Sequence, residues 1–211
     1  MAFTNPAVDY TDHFREVGAL WEMNPEMSGP HAVTALGGKH TDVYFNSDLI
    51  TSDNADLDSI VRNVLGVEAA NRNLRPDWVF SYAPYGILLA AACSRALGSK
   101  VGYCRPDQDY QTTFPIHEGQ SALVVGDDVH RGTSLVETAS QLESRGIRVA
   151  PMFFTLVNLS DTKELAGREL VAAAQVPTLG HPADDCPMCL AGSRPLEART
   201  NWQELIDSQQ V

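Results

Sequence analysis

Apolar positions along this chain follow two rhythms: short contiguous runs, and stripes that recur every three to four residues. Residues 78–82, 101–104, 123–125, 149–157 and 169–174 are runs of the first kind, with the length of strands covered on both faces. Between them, Leu57, Ile60, Val61, Val64 and Leu65 make a helical stripe. An Ala-rich helix over 86–97 is expected to stop at Gly98, and Leu135, Val136, Ala139 and Leu142 predict another that ends near Gly146. Phe14, Val17, Leu20 and Trp21 form a first stripe behind the polar start Asp9-Tyr10-Thr11. Residues 32–36 and 43–46 read as strands around the turn Gly37-Gly38-Lys39-His40. Residues 105–119 are polar and weakly periodic, as in a long loop or exposed hairpin, and a short helix is expected over 162–166. From His181 onward the chain is rich in Pro and Gly and has no strong period, and no internal repeat is visible. Strands alternating with helices predict an α/β domain with a mainly parallel sheet, whose ligands lie beyond the carboxyl ends of the strands.

Composition narrows the partners. The 211 residues are 44% hydrophobic, enough for one good-sized domain or a domain with a small appendage. A formal net charge of -12 argues against a general nucleic-acid or anionic-membrane binder, while leaving room for a local phosphate site. The start MAFTNPAVDYTDHF shows no cationic segment leading into an apolar run, and the longest apolar stretch, 87–93, is too short to cross a bilayer. Four cysteines without a secretion signal suggest thiols or a metal site, so the expected compartment is the cytoplasm.

The chemistry concentrates in the run Leu123-Val124-Val125-Gly126-Asp127-Asp128-Val129-His130-Arg131-Gly132-Thr133-Ser134. It reads as a buried strand, a pair of carboxylates, a polar turn and a helix start. Ser134 with Glu137 suggests a capping box. The turn offers backbone N–H groups, hydroxyls and a cation, which suit an anion at a helix N-terminus. Carboxylates beside a phosphate cup suit a sugar phosphate. Neither G-x-x-x-x-G-K-[ST] nor G-x-G-x-x-G occurs in its strand-to-helix context. Cys186 and Cys189 have the spacing of half a zinc site, with His181, Cys104 or a symmetry mate as candidates for the other half. The alternative is a pair of thiols in a Pro-rich tail.

Three further segments carry a resemblance. Gly37-Gly38-Lys39-His40-Thr41-Asp42-Val43-Tyr44-Phe45-Asn46, Asp77-Trp78-Val79-Phe80-Ser81-Tyr82-Ala83-Pro84-Tyr85-Gly86-Ile87 and Cys186-Pro187-Met188-Cys189-Leu190-Ala191-Gly192-Ser193-Arg194-Pro195-Leu196 join the acid run in the order found in orotate phosphoribosyltransferases. The chain resembles that family from about Gly37 to Leu196. The resemblance implies the type I phosphoribosyltransferase fold, a mainly parallel central sheet flanked by helices, with a small hood. It places a phosphoribosyltransferase-like domain with its N-terminal hood over 1–180 and a tail packed on it over 181–211. It implies transfer of ribose 5-phosphate from phosphoribosyl pyrophosphate to a pyrimidine-like base, orotate by default, with Mg²⁺ as cofactor and a homodimer as the assembly. Asp127 and Asp128 would hold ribose and Mg²⁺-bound oxygens, and His130, Arg131, Gly132, Thr133 and Ser134 the 5-phosphate. Tyr44 and Phe45 would border the base. Lys39, Tyr85 and Gly86 would contact the substrate, and Arg105 would be the cation meeting pyrophosphate. A candidate Zn²⁺ at Cys186 and Cys189 is a separate expectation.

The departures from the family pattern are specific. Its first acid falls on Gly126, its pair of phosphate-cup threonines on His130 and Arg131, and two of its pyrophosphate-loop glycines on Ser81 and Tyr85. Residues 108–114, in place of the family's cationic mobile loop, contain no Lys or Arg. His117 and Glu118 at the end of that loop are candidates for a catalytic role or a solvated turn. Leu159 stands where an arginine meets the orotate carboxylate, so orotate is expected to be a poor substrate unless Arg194 or Lys163 replaces that charge. These losses keep two other functions open: a non-catalytic phosphoribosyl-pyrophosphate or nucleotide sensor, and a transferase for a different heterocycle.

Overall fold

A computed structural model describes residues 8–24, 29–34 and 37–209. In chain order it contains α1 (Thr11–Glu16), β1 (Leu20–Glu22), β2 (His31–Val33), β3 (His40–Thr41), β4 (Val43–Phe45), α2 (Ser47–Thr51) and α3 (Asn54–Val61). A π turn (Arg62–Gly66) joins α3 to α4 (Val67–Asn71). Then follow β5 (Trp78–Tyr82), α5 (Ile87–Leu97), β6 (Lys100–Cys104), β7 (Ser121–Val129), α6 (Thr133–Ser144), β8 (Arg148–Asn158), β9 (Glu164–Leu165) and β10 (Arg168–Gln175). The last part holds α7 (Pro187–Leu190), β11 (Pro195–Glu197) and α8 (Trp202–Asp207).

The central sheet has the order β6-β5-β7-β8-β10-β9 and is parallel except for β9. The contiguous apolar runs are its strands, and every residue of β5 is buried. Phe154, Leu123 and Val79 join the stripe of α3 in one core, and Phe80, Phe153 and Leu135 lie in a second. The chain enters the sheet at β5, crosses to β6 on one side and returns to β7 on the other. The crevice between the carboxyl ends of β5 and β7 is therefore the topological switch point, where parallel sheets take their ligands.

A second layer forms over that crevice. Strand β1 pairs with β4, and β2 lies between β3 and β11, so the end of the chain supplies a strand to the hood. Leu196, Ala198 and Leu205 from this end pack with Trp21 and Ala32. Residues 181–209, aperiodic in sequence, are ordered by this pairing rather than by a stripe of their own.

Three local expectations are corrected. Leu20 and Trp21 belong to β1 and not to the first helix, which Gly18 ends at φ +71°. The segment around residues 162–166 is no helix. Glu164 and Leu165 form β9, which turns through Ala166 and Gly167, both at positive φ, into antiparallel pairing with β10. The expected strand over 32–36 covers only His31–Val33, and its last two positions lie outside the described residues.

Alternation along β4 separates the two aromatics expected at the base. Phe45 is buried with its ring centroid 5.1 Å from that of Phe14, whereas Tyr44 points the other way, toward Trp202. Phe45→Ala should lower the unfolding free energy by about 3–5 kcal/mol in urea denaturation. Tyr44→Phe, which keeps the ring, should cost less than about 1 kcal/mol in the same measurement. Equal losses in the two variants would contradict this division.

Candidate functional site

Strand β7 runs farther than its apolar core and carries both acids within the sheet. Successive side chains of a strand leave on opposite faces, so Asp127 and Asp128 do not share an environment. Asp127 is buried. It accepts hydrogen bonds from Ser47 Oγ of α2 (2.8 Å) and from Tyr82 OH at the end of β5 (3.2 Å). Burial and the two neighbouring carboxylates hold the Tyr82 phenol well above its usual pKa, so it stays a donor. Gly126, where the resembled family has its first acid, is closely surrounded. A Cβ there would lie 3.0 Å from Tyr82 OH and 3.1 Å from Leu135, in space that the tyrosine already fills.

Asp128 faces the opening, with its side chain 34% exposed and 3.6 Å from His130 Nε2. Its pKa is raised, first by burial and then by the Asp127 charge, with Arg199 opposing. The His130 pKa is lowered by partial burial of its ring and by the neighbouring Arg131 charge.

Beyond the acids, Gly132 adopts φ +71° and its carbonyl receives the first bond of α6, from the Val136 amide at 3.1 Å. The amides before Val136 belong to the unpaired first turn of the helix, the donor set an anion requires. The expected capping box does not form. Gly132 is the cap residue, Ser134 already lies inside the helix, and its hydroxyl accepts from Tyr110 OH at 3.2 Å. A Cβ at Gly132 would come within 2.3 Å of Leu165, so β9 covers the turn from outside. His130, Arg131 and Thr133 are exposed around it.

The cation of this crevice was not identified from the sequence. Arg199, just after β11, donates to Tyr85 OH (3.0 Å), lies 4.4 Å from the centroid of the Tyr85 ring and hydrogen-bonds Tyr44. Its charge reaches Asp128. The turn that aims it is tied by Glu197, which accepts from the amides of Arg199 and Thr200. Tyr44, Tyr85, Asp128 and Arg199 therefore border one opening. Gly86 closes its floor, where a Cβ would lie 1.8 Å from Ser81 Oγ, a buried hydroxyl without a hydrogen-bond partner.

The other candidates separate. Lys39 is in the β2–β3 turn, paired through its backbone with Thr34, and packs against Gly180. Arg105 is exposed at the end of the edge strand β6, 6.0 Å from the Tyr103 ring centroid, and its backbone bridges to Gln111. His117 and Glu118 precede the amino end of β7, the end of the strand opposite to the acids. Leu159 is in the core, and Arg194 is engaged by Glu204, so neither brings charge to the crevice. Cys104 is buried beside Phe80, and burial pushes its thiol up to about 12. It is not part of the cysteine pair's surroundings. Cys186 and Cys189 meet His31 and His40 instead, and all four ligating atoms lie within 4.8 Å of one another. The expected second half from His181 or Cys104 is thereby corrected: His181 meets His40 through its backbone.

No family model matches the chain. Its fold is that of the type I phosphoribosyltransferases. The solved orotate phosphoribosyltransferase of Aeropyrum pernix superposes with a TM-score of 0.61 at 22% identity, over 79% of this chain and 93% of that one. Within that class the chain is similar to the orotate phosphoribosyltransferases. That of a Nitratiruptor species is 26% identical over 206 residues, covering 90% of this chain and 97% of the relative. That of Heliobacterium modesticaldum is 27% identical over 185 residues, covering 86% and 92%. The resemblance first carried by four motifs thus extends along most of the chain. No helix among the described residues is long and apolar enough to cross a membrane.

Asp128 supplies a test of the electrostatics. A carboxylate with a raised folded pKa holds its proton more tightly when folded, so its contribution to stability declines as pH rises from the unfolded pKa through the folded one. Asp128→Asn removes that decline. The Tm difference, variant minus parent, should be near zero at about pH 4 and become increasingly positive toward about pH 8. A difference that stays flat or turns negative in thermal unfolding scans would contradict the assigned environment.

Proposed function

We propose that this protein transfers ribose 5-phosphate from phosphoribosyl pyrophosphate to a ring nitrogen of a pyrimidine-like base and releases pyrophosphate. One observation supports the reading: at the carboxyl ends of β5 and β7 a partly exposed carboxylate lies beside a helix-start turn with unpaired amides and within reach of the charge of Arg199. The unpaired amides before Val136, with His130, Arg131 and Thr133, take the 5-phosphate. Asp128 takes the ribose hydroxyls, while Asp127, already engaged by Ser47 and Tyr82, holds β7 in place. With one acid committed and one available, the donor set fits a Mg²⁺ ion that keeps most of its waters. Asp128 would hold such an ion, whose charge would help neutralise the pyrophosphate. The chain's remaining task is to align base and sugar while the anomeric carbon passes through a cationic, oxocarbenium-like state.

Arg199 changes the expectation about the base. Leu159 leaves the family's carboxylate-binding position empty of charge, but Arg199 brings a guanidinium to the opening from the other end of the chain. An anionic pyrimidine such as orotate thereby regains a partner for its carboxylate. Mg²⁺, a homodimeric assembly and a cytoplasmic location accompany the proposal and rest on the resemblance.

A sensor that binds phosphoribosyl pyrophosphate without turnover is the second reading, and one observation favours it. Residues 106–119 contain no Lys or Arg. They also pack down on the body, with Phe114 against Trp78, Phe80 and Tyr103 and with Arg145 donating to the carbonyls of Thr112 and Ile116.

Pyrophosphate release from phosphoribosyl pyrophosphate and Mg²⁺, followed over a panel of bases that includes orotate and uracil, separates the two. The transferase reading expects turnover with an anionic pyrimidine. In Arg199→Ala it expects KM for that base to rise by about 10- to 100-fold, the loss of one charge-assisted contact worth about 1.5–3 kcal/mol. Mg²⁺-dependent binding without turnover on any base establishes the sensor. Turnover that is indifferent to Arg199→Ala removes Arg199 from the base site.

A further inference from the structure

We propose that His31, His40, Cys186 and Cys189 form a tetrahedral zinc site that clasps the end of the chain to the hood. The sequence shows only half of it, a C-x₂-C pair. The fold supplies the rest. Strand β2 pairs with β3 so that Val33 is opposite His40, and residues two apart share a face, which puts His31 and His40 on the same side of the hairpin as diagonal neighbours. Strand β11 runs parallel to β2 with Pro195 beside His31, and this anchors the preceding helix α7 over that face with both cysteines.

The spacings suit the ion. Zinc bonds of about 2.0–2.1 Å to nitrogen and about 2.3 Å to sulfur place neighbouring ligand atoms of a tetrahedron about 3.3–3.8 Å apart. Cys189 Sγ lies 3.3 Å from His40 Nδ1 and 3.6 Å from His31 Nε2, and Cys186 Sγ lies 3.9 Å from the same His31 nitrogen. His31 Nε2 and His40 Nδ1 are 2.7 Å apart, close enough to share a proton. A small rotation of either ring opens that edge to the length the metal requires.

The surroundings fix the tautomer of His31. Ser193 Oγ donates to the Gly29 carbonyl (2.8 Å), which can only accept. The same oxygen is 2.8 Å from His31 Nδ1 and must accept there, so Nδ1 carries the proton and Nε2 turns its lone pair toward the thiols. A ligating histidine whose other nitrogen donates to a fixed acceptor is the arrangement that metal sites use. The Cys189 amide donates to Cys186 Sγ (3.5 Å), which helps fix the position of that sulfur. On binding, the two thiol protons leave to solvent and the His40 proton moves from Nδ1 to Nε2. Zn²⁺ with two thiolates and two neutral imidazoles is then uncharged, which suits a site where three of the four residues are buried. All four positions come from protein, so no open position remains for a substrate and the role is structural. Mixed nitrogen and sulfur ligands favour zinc over Mg²⁺ or Ca²⁺.

Elemental analysis of the full-length protein, purified under reducing conditions, should find close to one zinc per chain. Cys189→Ser should lose it, and Ser193→Ala, which frees His31 Nδ1, should lower zinc affinity by about 10-fold. If Cys189→Ser does not fold, Co²⁺ exchanged into the parent decides, because tetrahedral thiolate-bound Co²⁺ gives intense visible absorption and six-coordinate Co²⁺ does not. Folded, reduced protein that takes up neither zinc nor tetrahedral Co²⁺ overturns the proposal, as does a Cys186–Cys189 disulfide in the freshly isolated chain. Neither readout depends on phosphoribosyl transfer, so the two proposals stand or fall separately.

Discussion

The Asp127 carboxylate is the point on which the arrangement turns. It is buried at the switch point of the sheet and receives one hydroxyl from β5 and one from α2, so a single group ties both elements to β7. A buried carboxylate left without such donors would be strongly unfavourable, whereas hydrogen bonds to a charged group contribute about 1.5–3 kcal/mol each. Tyr82 reaches Asp127, and a Cβ at position 126 would lie 3.0 Å from its hydroxyl and 3.1 Å from Leu135, so a side chain there would require both neighbours to shift. Asp128, one position farther along and on the other face, is the acid left partly exposed.

The same logic connects the hood to the tail. The central sheet presents an acid, Asp128, beside a helix-start turn with unpaired amides. The end of the chain supplies a positive charge, because β11 pairs with β2 and the next turn carries Arg199 between Tyr44 and Tyr85. Fixing residues 186–198 against the hood holds Arg199 in that place, and Cys186 and Cys189 of the His and Cys cluster lie on the same segment. An exposed arginine on an unanchored tail would lose the conformational freedom of several residues on binding, about 1–2 kcal/mol for each backbone unit ordered.

Much of the sheet was legible in the sequence because buried parallel strands need continuous apolar runs. Those runs at 78–82, 101–104 and 149–157 mark β5, β6 and β8 closely. The stripes of α3, α5 and α6 were equally plain, and Gly98 stops α5 in the left-handed conformation as expected. What failed was local chemistry overruled by its neighbours. Ser134 and Glu137 have the letters of a capping box, but Gly132 starts the helix earlier. Residues 162–166 have a helical composition, yet a two-residue strand forms because β10 offers it an edge. His31 and Arg199 could not be found by any period or motif. One depends on a hairpin register and the other on a parallel pairing between segments more than 160 residues apart.

Amide spectra of isotope-labelled protein titrated with phosphoribosyl pyrophosphate and Mg²⁺ decide whether the substrate binds at the β5–β7 crevice. The largest shifts should fall on residues 130–135, with smaller ones at Asp128, Tyr85 and Arg199. Shifts confined to the cleft lined by Tyr110, Gln141 and Arg145 on the far side of α6, or no shifts at saturating Mg²⁺ and substrate, would contradict binding at the crevice.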